Sequence, residues 1–247
     1  MHRPSAQVPQ DAILEVIDVP DGVEYASRAA HKLSGALALT GVDPAGLRCL
    51  DAGASTGGFT DVLLRHGAAQ VVAVDIGHDQ LVPHVRDDPR VEVHDGTSIR
   101  GMRTQDICGP VDLLVGDLSF ISLRLVMADL VGLVRDEGRL LLMVKPQFEV
   151  GRGHLGRGGV VGDVDARLQA VLDVARSAAM CGAQVDAAVA SPLPGQDGNR
   201  EFFLSLLHRH AQGPGSDPGP HAYDMIERAV RSPHVTQHAP EGGPRVP

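Results

Sequence analysis

The chain has no tryptophan, and only 3% of its residues are aromatic. Ala, Val and Leu must therefore fill its core. Cysteine is scarce: Cys49, Cys108 and Cys181 lie far apart, and none belongs to a C-x-x-C pair. An odd count without a framework excludes a disulfide scaffold and predicts reduced thiols, mostly core-filling, in a cytoplasmic protein. No apolar run approaches the ~20 residues needed to span a bilayer. The opening residues MHRPSAQVPQDA hold no apolar signal-peptide region. Both absences speak against a membrane role. Metal-ligand spacing is missing as well, since the 12 histidines include no H-E-x-x-H. There is no G-x-S-x-G elbow and no G-x-x-x-x-G-K-[ST] loop, which sets aside serine hydrolases and P-loop enzymes. Positive charge is also short: 22 Lys and Arg face 31 Asp and Glu, for a net charge of −9. Phosphate contact rests on Lys and Arg, so binding to nucleic acid calls for a local basic patch or a basic partner.

What is present suits one large α/β domain: 247 residues, 43% of them hydrophobic. The chain divides by composition. Residues 1–24 are polar and proline-containing and read as an N-terminal arm. Residues 25–210 carry the periodic pattern of a folded domain. Residues 211–247 are rich in Pro, Gly and His and read as a flexible tail, with a helix-compatible stretch at 223–230.

Within the domain, strands and helices alternate. A helix is predicted over 27–40, stopped by Gly41. Strands are predicted at 48–51, 71–75, 91–94, 111–116, 139–144, 185–190 and 201–207. Helices are predicted at 58–66, at 79–86 with an interruption at Pro83, at 121–134 and at 166–181. Continuous apolar strands alternating with helices indicate a mostly parallel sheet covered on both faces. Such sheets bind ligands at the carboxyl ends of their strands.

The segment CLDAGASTGGFTDVLL carries the strongest signal. A strand runs to Asp51; Gly53, Gly57 and Gly58 follow; a helix then begins. Glycines permit tight turns and close approach of a ligand to the backbone, and the helix start adds unpaired N–H groups. Asp75 ends the next strand, 22 residues after Gly53, where a carboxylate suits ribose hydroxyls. The spacing is G-x-x-x-G-G, not the G-x-G-x-x-G of a pyrophosphate loop. It resembles the S-adenosylmethionine site of class I (Rossmann-like) methyltransferases, and a loop bearing Asp51 suits a sulfonium cation better than phosphates. The plain alternative is an ordinary strand-to-helix turn with an incidental Asp75.

Four further ionisable residues fall where such a sheet gathers them. Lys32 lies on the helix before the first strand. Asp117 follows VDLLVG, Lys145 follows LLLMV, and Glu201 opens the last strand. Pro146 keeps Lys145 out of helical geometry. Any one of these is commonly a solvated strand-end charge. Two on the strands beside the glycine loop suggest a site.

The stretches YASRAAHKL, CLDAGASTGGFTDVLL, VDLLVGDLSFISL, LLMVKPQFEVGRG, GGVV and ASPLPGQDGNREFF together resemble the TlyA (haemolysin A-like) family, within the FtsJ/RrmJ group of ribose 2′-O-methyltransferases. The likeness runs from Tyr25 to Leu207. It implies a class I methyltransferase fold with seven strands, the last antiparallel. It implies a catalytic Lys-Asp-Lys-Glu set at Lys32, Asp117, Lys145 and Glu201. It implies an S-adenosyl-L-methionine site at Asp51, Gly53, Ala54, Ser55, Thr56, Gly57, Gly58, Phe59, Asp75, Ile76 and Asp117, with Asp95 a weaker candidate near the adenine. TlyA proteins normally begin with a basic S4-type RNA-binding domain, and the 24 residues before the first motif leave no room for one. The acceptor expected is thus an RNA ribose with a helper supplying affinity, or a small-molecule hydroxyl or amine. Asp117 and Glu201 are both expected to position Lys145, with Lys32 aligning the acceptor.

Overall fold

The computed structural model describes residues 24–151, 153, 155–209, 215 and 217–232. The arm expected at 1–24 lies outside the described residues, apart from Glu24.

Seven strands form one sheet: β1 (Arg48–Ala52), β2 (Gln70–Val74), β3 (Val91–His94), β4 (Val111–Gly116), β5 (Val134–Val144), β6 (Ala183–Ala190) and β7 (Phe202–His208). Their order is β3-β2-β1-β4-β5-β7-β6. All neighbours pair in parallel except β7, which runs against both β5 and β6. This is the class I methyltransferase arrangement. The central strands are apolar throughout because both faces are covered. Leu113 and Val115 point into one core with Leu141 and Met143; Leu114 points into the other with Leu140, Leu142 and Val144. Alternate residues of one strand thus serve opposite layers.

The first layer holds α1 (Ala29–Thr40), α2 (Gly58–Arg65) and α3 (Pro83–Arg86). The second holds α4 (Met127–Gly132), α6 (Val164–Met180) and α7 (Pro220–Arg231). Gly41 stops α1 in the left-handed region (φ +71°), returning its N–H to the carbonyl of Leu37. Asp163 starts α6 by accepting the N–H of Asp165. A single turn, α5 (Pro146–Glu149), follows β5 directly.

Several local expectations are corrected. Pro83 begins α3 instead of interrupting a longer helix; its missing N–H is harmless at the first helical position. The helix expected over 121–134 is reduced to a 3-10 turn (Leu123–Leu125) and α4, because Val134 pairs with Val111 as the start of β5. The extra length of β5 is exposed and irregular, with Glu137 at φ +59°. The tail expected over 211–247 contains an ordered helix: α7 buries Ala222, Ile226, Ala229 and Val230. It extends the helix-compatible stretch read at 223–230, and its apolar side packs on β6 and α6. Of the thiols, Cys49 is buried and Cys181 half-buried, but Cys108 is exposed and fills no core.

Candidate active site

Register brings the polar strand ends together. Ala52 pairs with Gly116, so Gly53 and Asp117 leave β1 and β4 side by side. Val144 pairs with Phe202 antiparallel, so Lys145 and Glu201 stand across from each other at the same sheet edge. These ends open on a cavity of about 590 Å³ lined by Lys32, Asp117, Lys145 and Glu201.

The four form two pairs. Lys145 Nζ lies 2.6 Å from Asp117 Oδ1 and donates to Ser119 Oγ at 2.7 Å. Lys32 Nζ donates to Glu201 Oε2 at 2.6 Å, and both residues are buried. Burial of an ion pair is tolerable only when both charges stay matched. Glu201 therefore holds Lys32, while Asp117 and Ser119 hold Lys145; this revises the expectation that both carboxylates position Lys145. Gly195 leaves room beside the inner pair: a Cβ there would stand 2.7 Å from Glu201 Oε1.

The glycine loop forms the adjoining wall. Gly53, Ala54, Ser55, Thr56, Gly58 and Phe59 line the cavity. Gly53 sits at φ +85°, and a Cβ on it would meet the Asp117 carbonyl at 3.0 Å. Glycine is needed there for both conformation and approach. Phe59 stacks beneath on Phe203, with ring centroids 6.1 Å apart.

Not every expected residue faces this space. Asp51 is fully buried under the loop, its Oδ2 accepting from the Thr60 hydroxyl at 2.7 Å while Oδ1 has no hydrogen-bond partner among the described residues. Burial pushes its carboxyl up to about 7; the Thr60 bond opposes this, and the Asp117 and Asp75 charges add to it. Gly57 packs against Leu81 and Val85 instead. Asp75, Ile76 and Asp95 lie beyond the cavity lining, past the ends of β2 and β3. Asp75 accepts the N–H groups of Ser55 (2.8 Å) and Gly77 (2.7 Å), and Asp95 accepts that of Asp79 (2.9 Å). Ile76 is 75% exposed beside them. A half-buried carboxylate next to an exposed apolar side chain suits a ribose joined to a flat base.

Sequence reasoning missed Ser119, Phe120, Gln147, Phe148 and Asn199, which also line the cavity. Phe120 is 91% exposed, at φ +63°, with its ring 5.3 Å from that of Phe148. A signal existed. The chain has five phenylalanines, and Phe120 and Phe148 each follow a key polar residue, Asp117 or Lys145, by three positions.

Glycine loop, paired lysines and a doubly wound sheet with one reversed strand define a class I methyltransferase. The chain belongs to the FtsJ-like methyltransferase family, which matches residues 25–207. It is 50% identical over 204 residues to the 16S/23S rRNA (cytidine-2′-O)-methyltransferase TlyA of Mycobacterium tuberculosis, covering 83% of this chain and 76% of that one. It is 34% identical over 206 residues to the 23S rRNA (cytidine-2′-O)-methyltransferase TlyA of Campylobacter jejuni, covering 80% and 79%. A solved structure described as a hemolysin from Lactococcus lactis superimposes with a TM-score of 0.75 at 34% identity, over 83% of this chain and 96% of that one. Among the described residues, no helix is long and apolar enough to cross a membrane.

Proposed function

We propose that the chain transfers a methyl group from S-adenosyl-L-methionine to the 2′-hydroxyl of a cytidine in ribosomal RNA. The observation that carries this reading is the convergence of two lysine–carboxylate pairs on one cavity beside the glycine loop.

The residues present fit the cofactor. The loop at Gly53 is a cradle that a Cβ would fill, and the Asp75 carboxylate with Ile76 offers a place for the adenosine. Gly53 to Phe59 and Asp117 would hold the methionine end. Asp51 acts from below by fixing Thr60, not by contact. When bound, the cofactor supplies an activated methyl on a sulfonium sulfur.

The remaining chemistry falls to the protein. In-line transfer needs the acceptor oxygen about 3 Å from the methyl carbon. Lys145 Nζ donates to Ser119 Oγ and is paired by charge with Asp117. A remaining Nζ position meets the acceptor hydroxyl and either orients it or takes its proton. Lys32, fixed by Glu201, aligns the acceptor from the other side. Phe120 stands exposed at the mouth beside Phe148, where a nucleobase can stack on a ring face. On this reading the chain works in the cytoplasm on RNA, with local basic groups or a helper offsetting its acidity.

The test is incubation with methyl-labelled cofactor and either ribosomal subunits or a small-molecule extract. Label recovered as 2′-O-methylcytidine after nuclease digestion supports the reading. Label confined to small molecules overturns the acceptor. Absence of cofactor binding overturns the whole.

A further inference from the structure

Glu149 is a buried carboxylate outside the machinery above. Its side chain is 1% exposed. It closes α5, four residues after Lys145. Oε1 accepts the Leu123 N–H at 2.7 Å, and Oε2 accepts the Ser122 hydroxyl at 2.5 Å. Arg124 Nε lies 3.4 Å from Oε2, and another nitrogen of that guanidinium donates to the Glu149 carbonyl at 3.2 Å. One side chain thus ties the segment leaving β4 to the turn leaving β5. Burial pushes its carboxyl above the ordinary range, against the pull of Ser122, the Leu123 N–H and Arg124.

The tied segment carries Phe120, whose backbone is in the left-handed region while its ring faces solvent. A non-glycine residue stays in that region only when its surroundings over-determine it. One flank is set by β4: the Asp117 N–H donates to the Ala52 carbonyl at 3.0 Å, and its carboxylate is held by Lys145. The other flank is set by Glu149 through Ser122 and Leu123.

We infer that Glu149 is a positioning residue for methyl transfer: its bonds to Ser122 and Leu123 hold the Phe120 ring at the cavity mouth, so that a base stacked there presents its ribose to Lys145. This rests on the acceptor being a nucleotide, as proposed above.

Two measurements on the full chain test it. The first needs no turnover. The chain lacks tryptophan, so Phe120→Trp places a lone reporter on the platform. Fluorescence anisotropy of that reporter should fall when Glu149→Ala or Ser122→Ala is added and hold with Glu149→Gln, which keeps an acceptor for Leu123. The second is kinetic. Glu149→Ala should lower kcat by about 100-fold, the scale of a 1 Å misplacement, with cofactor Kd within about twofold. Glu149→Gln should recover most of the rate. In a Phe120→Ala background the same Glu149→Ala change should cost less than about threefold, because residues that act through one another are not additive. Ser122→Ala removes a single hydroxyl and keeps the test alive if Glu149→Ala fails to fold. Unchanged anisotropy, or equal rate losses with and without Phe120, overturns the inference. If the Phe120→Trp reporter responds as expected while the wild-type chain leaves RNA unlabelled, the acceptor reading is overturned and the hold of Glu149 on Phe120 stands.

Discussion

Lys145 and Lys32 differ in what their removal does. Lys145 sits at the edge of the cavity with Asp117 and Ser119 still reachable by water. Lys145→Ala should abolish turnover while leaving cofactor Kd nearly unchanged, as measured by calorimetry and a labelled-methyl assay. Near-normal rates would remove Lys145 from the mechanism. Lys32→Ala instead strands Glu201 in the interior, and breaking a buried pair costs about 3–5 kcal/mol. Its activity loss is therefore compared with the Lys32→Met/Glu201→Gln double variant, which removes both charges. The double should recover stability in denaturant melts and remain inactive. Asp51 makes a prediction about pH. Burial first, then the neighbouring carboxylates, lift its folded value to about 7 from an ordinary 3.8. A raised carboxyl stabilises the fold fully below its unfolded value and loses that contribution as pH rises through the folded value. The denaturant midpoint of Asp51→Asn relative to wild type should therefore climb between about pH 4 and pH 7 and level off above. A pH-independent difference would show that the Asp51 carboxyl titrates normally.

At the scale of elements, the loop after β1 and the helix α7 are the instructive cases. Gly53→Ala places a side chain at φ +85° against the Asp117 carbonyl. The left-handed backbone alone should cost roughly 1–2 kcal/mol, and cofactor affinity should drop with it; unchanged binding would mean the loop does not hold the cofactor. For α7, Ile226 is fully buried, and Ile226→Ala should lower unfolding free energy by about 2–5 kcal/mol in urea melts. No loss would mean the helix does not pack on β6 and α6 in solution. The strands β3 and β4 were legible to the residue, β4 from its buried apolar run and β3 from its alternating valines on a half-buried strand. The region 117–134 was not. Its apolar residues satisfy a helical period, yet Val134 is claimed by pairing with Val111 and Ser122–Leu123 by the Glu149 carboxylate. Both are contacts distant in sequence. α7 was partly legible, because its period is clear while the prolines and glycines around it dominate the composition.

For the whole molecule, the acidic balance sets how it meets an anionic acceptor. With a net charge of −9, binding of the isolated chain to ribosomal subunits should fall with salt less steeply than the ~10³–10⁵ loss seen between 50 and 200 mM for proteins with many phosphate contacts. A steep slope would reveal a concentrated basic surface. Added helper protein should steepen it if affinity is supplied in trans.

The residue types and their order alone determined the sheet, the glycine loop and the presence of two lysines and two carboxylates at strand ends, because burial periodicity and turn chemistry are local. Only the folded chain decided who pairs with whom. Antiparallel register sets Lys145 opposite Glu201, yet α1, packed over the sheet, delivers Lys32 to that carboxylate and leaves Lys145 to Asp117 and Ser119. Such partnerships join positions up to 169 residues apart, and no local pattern encodes them.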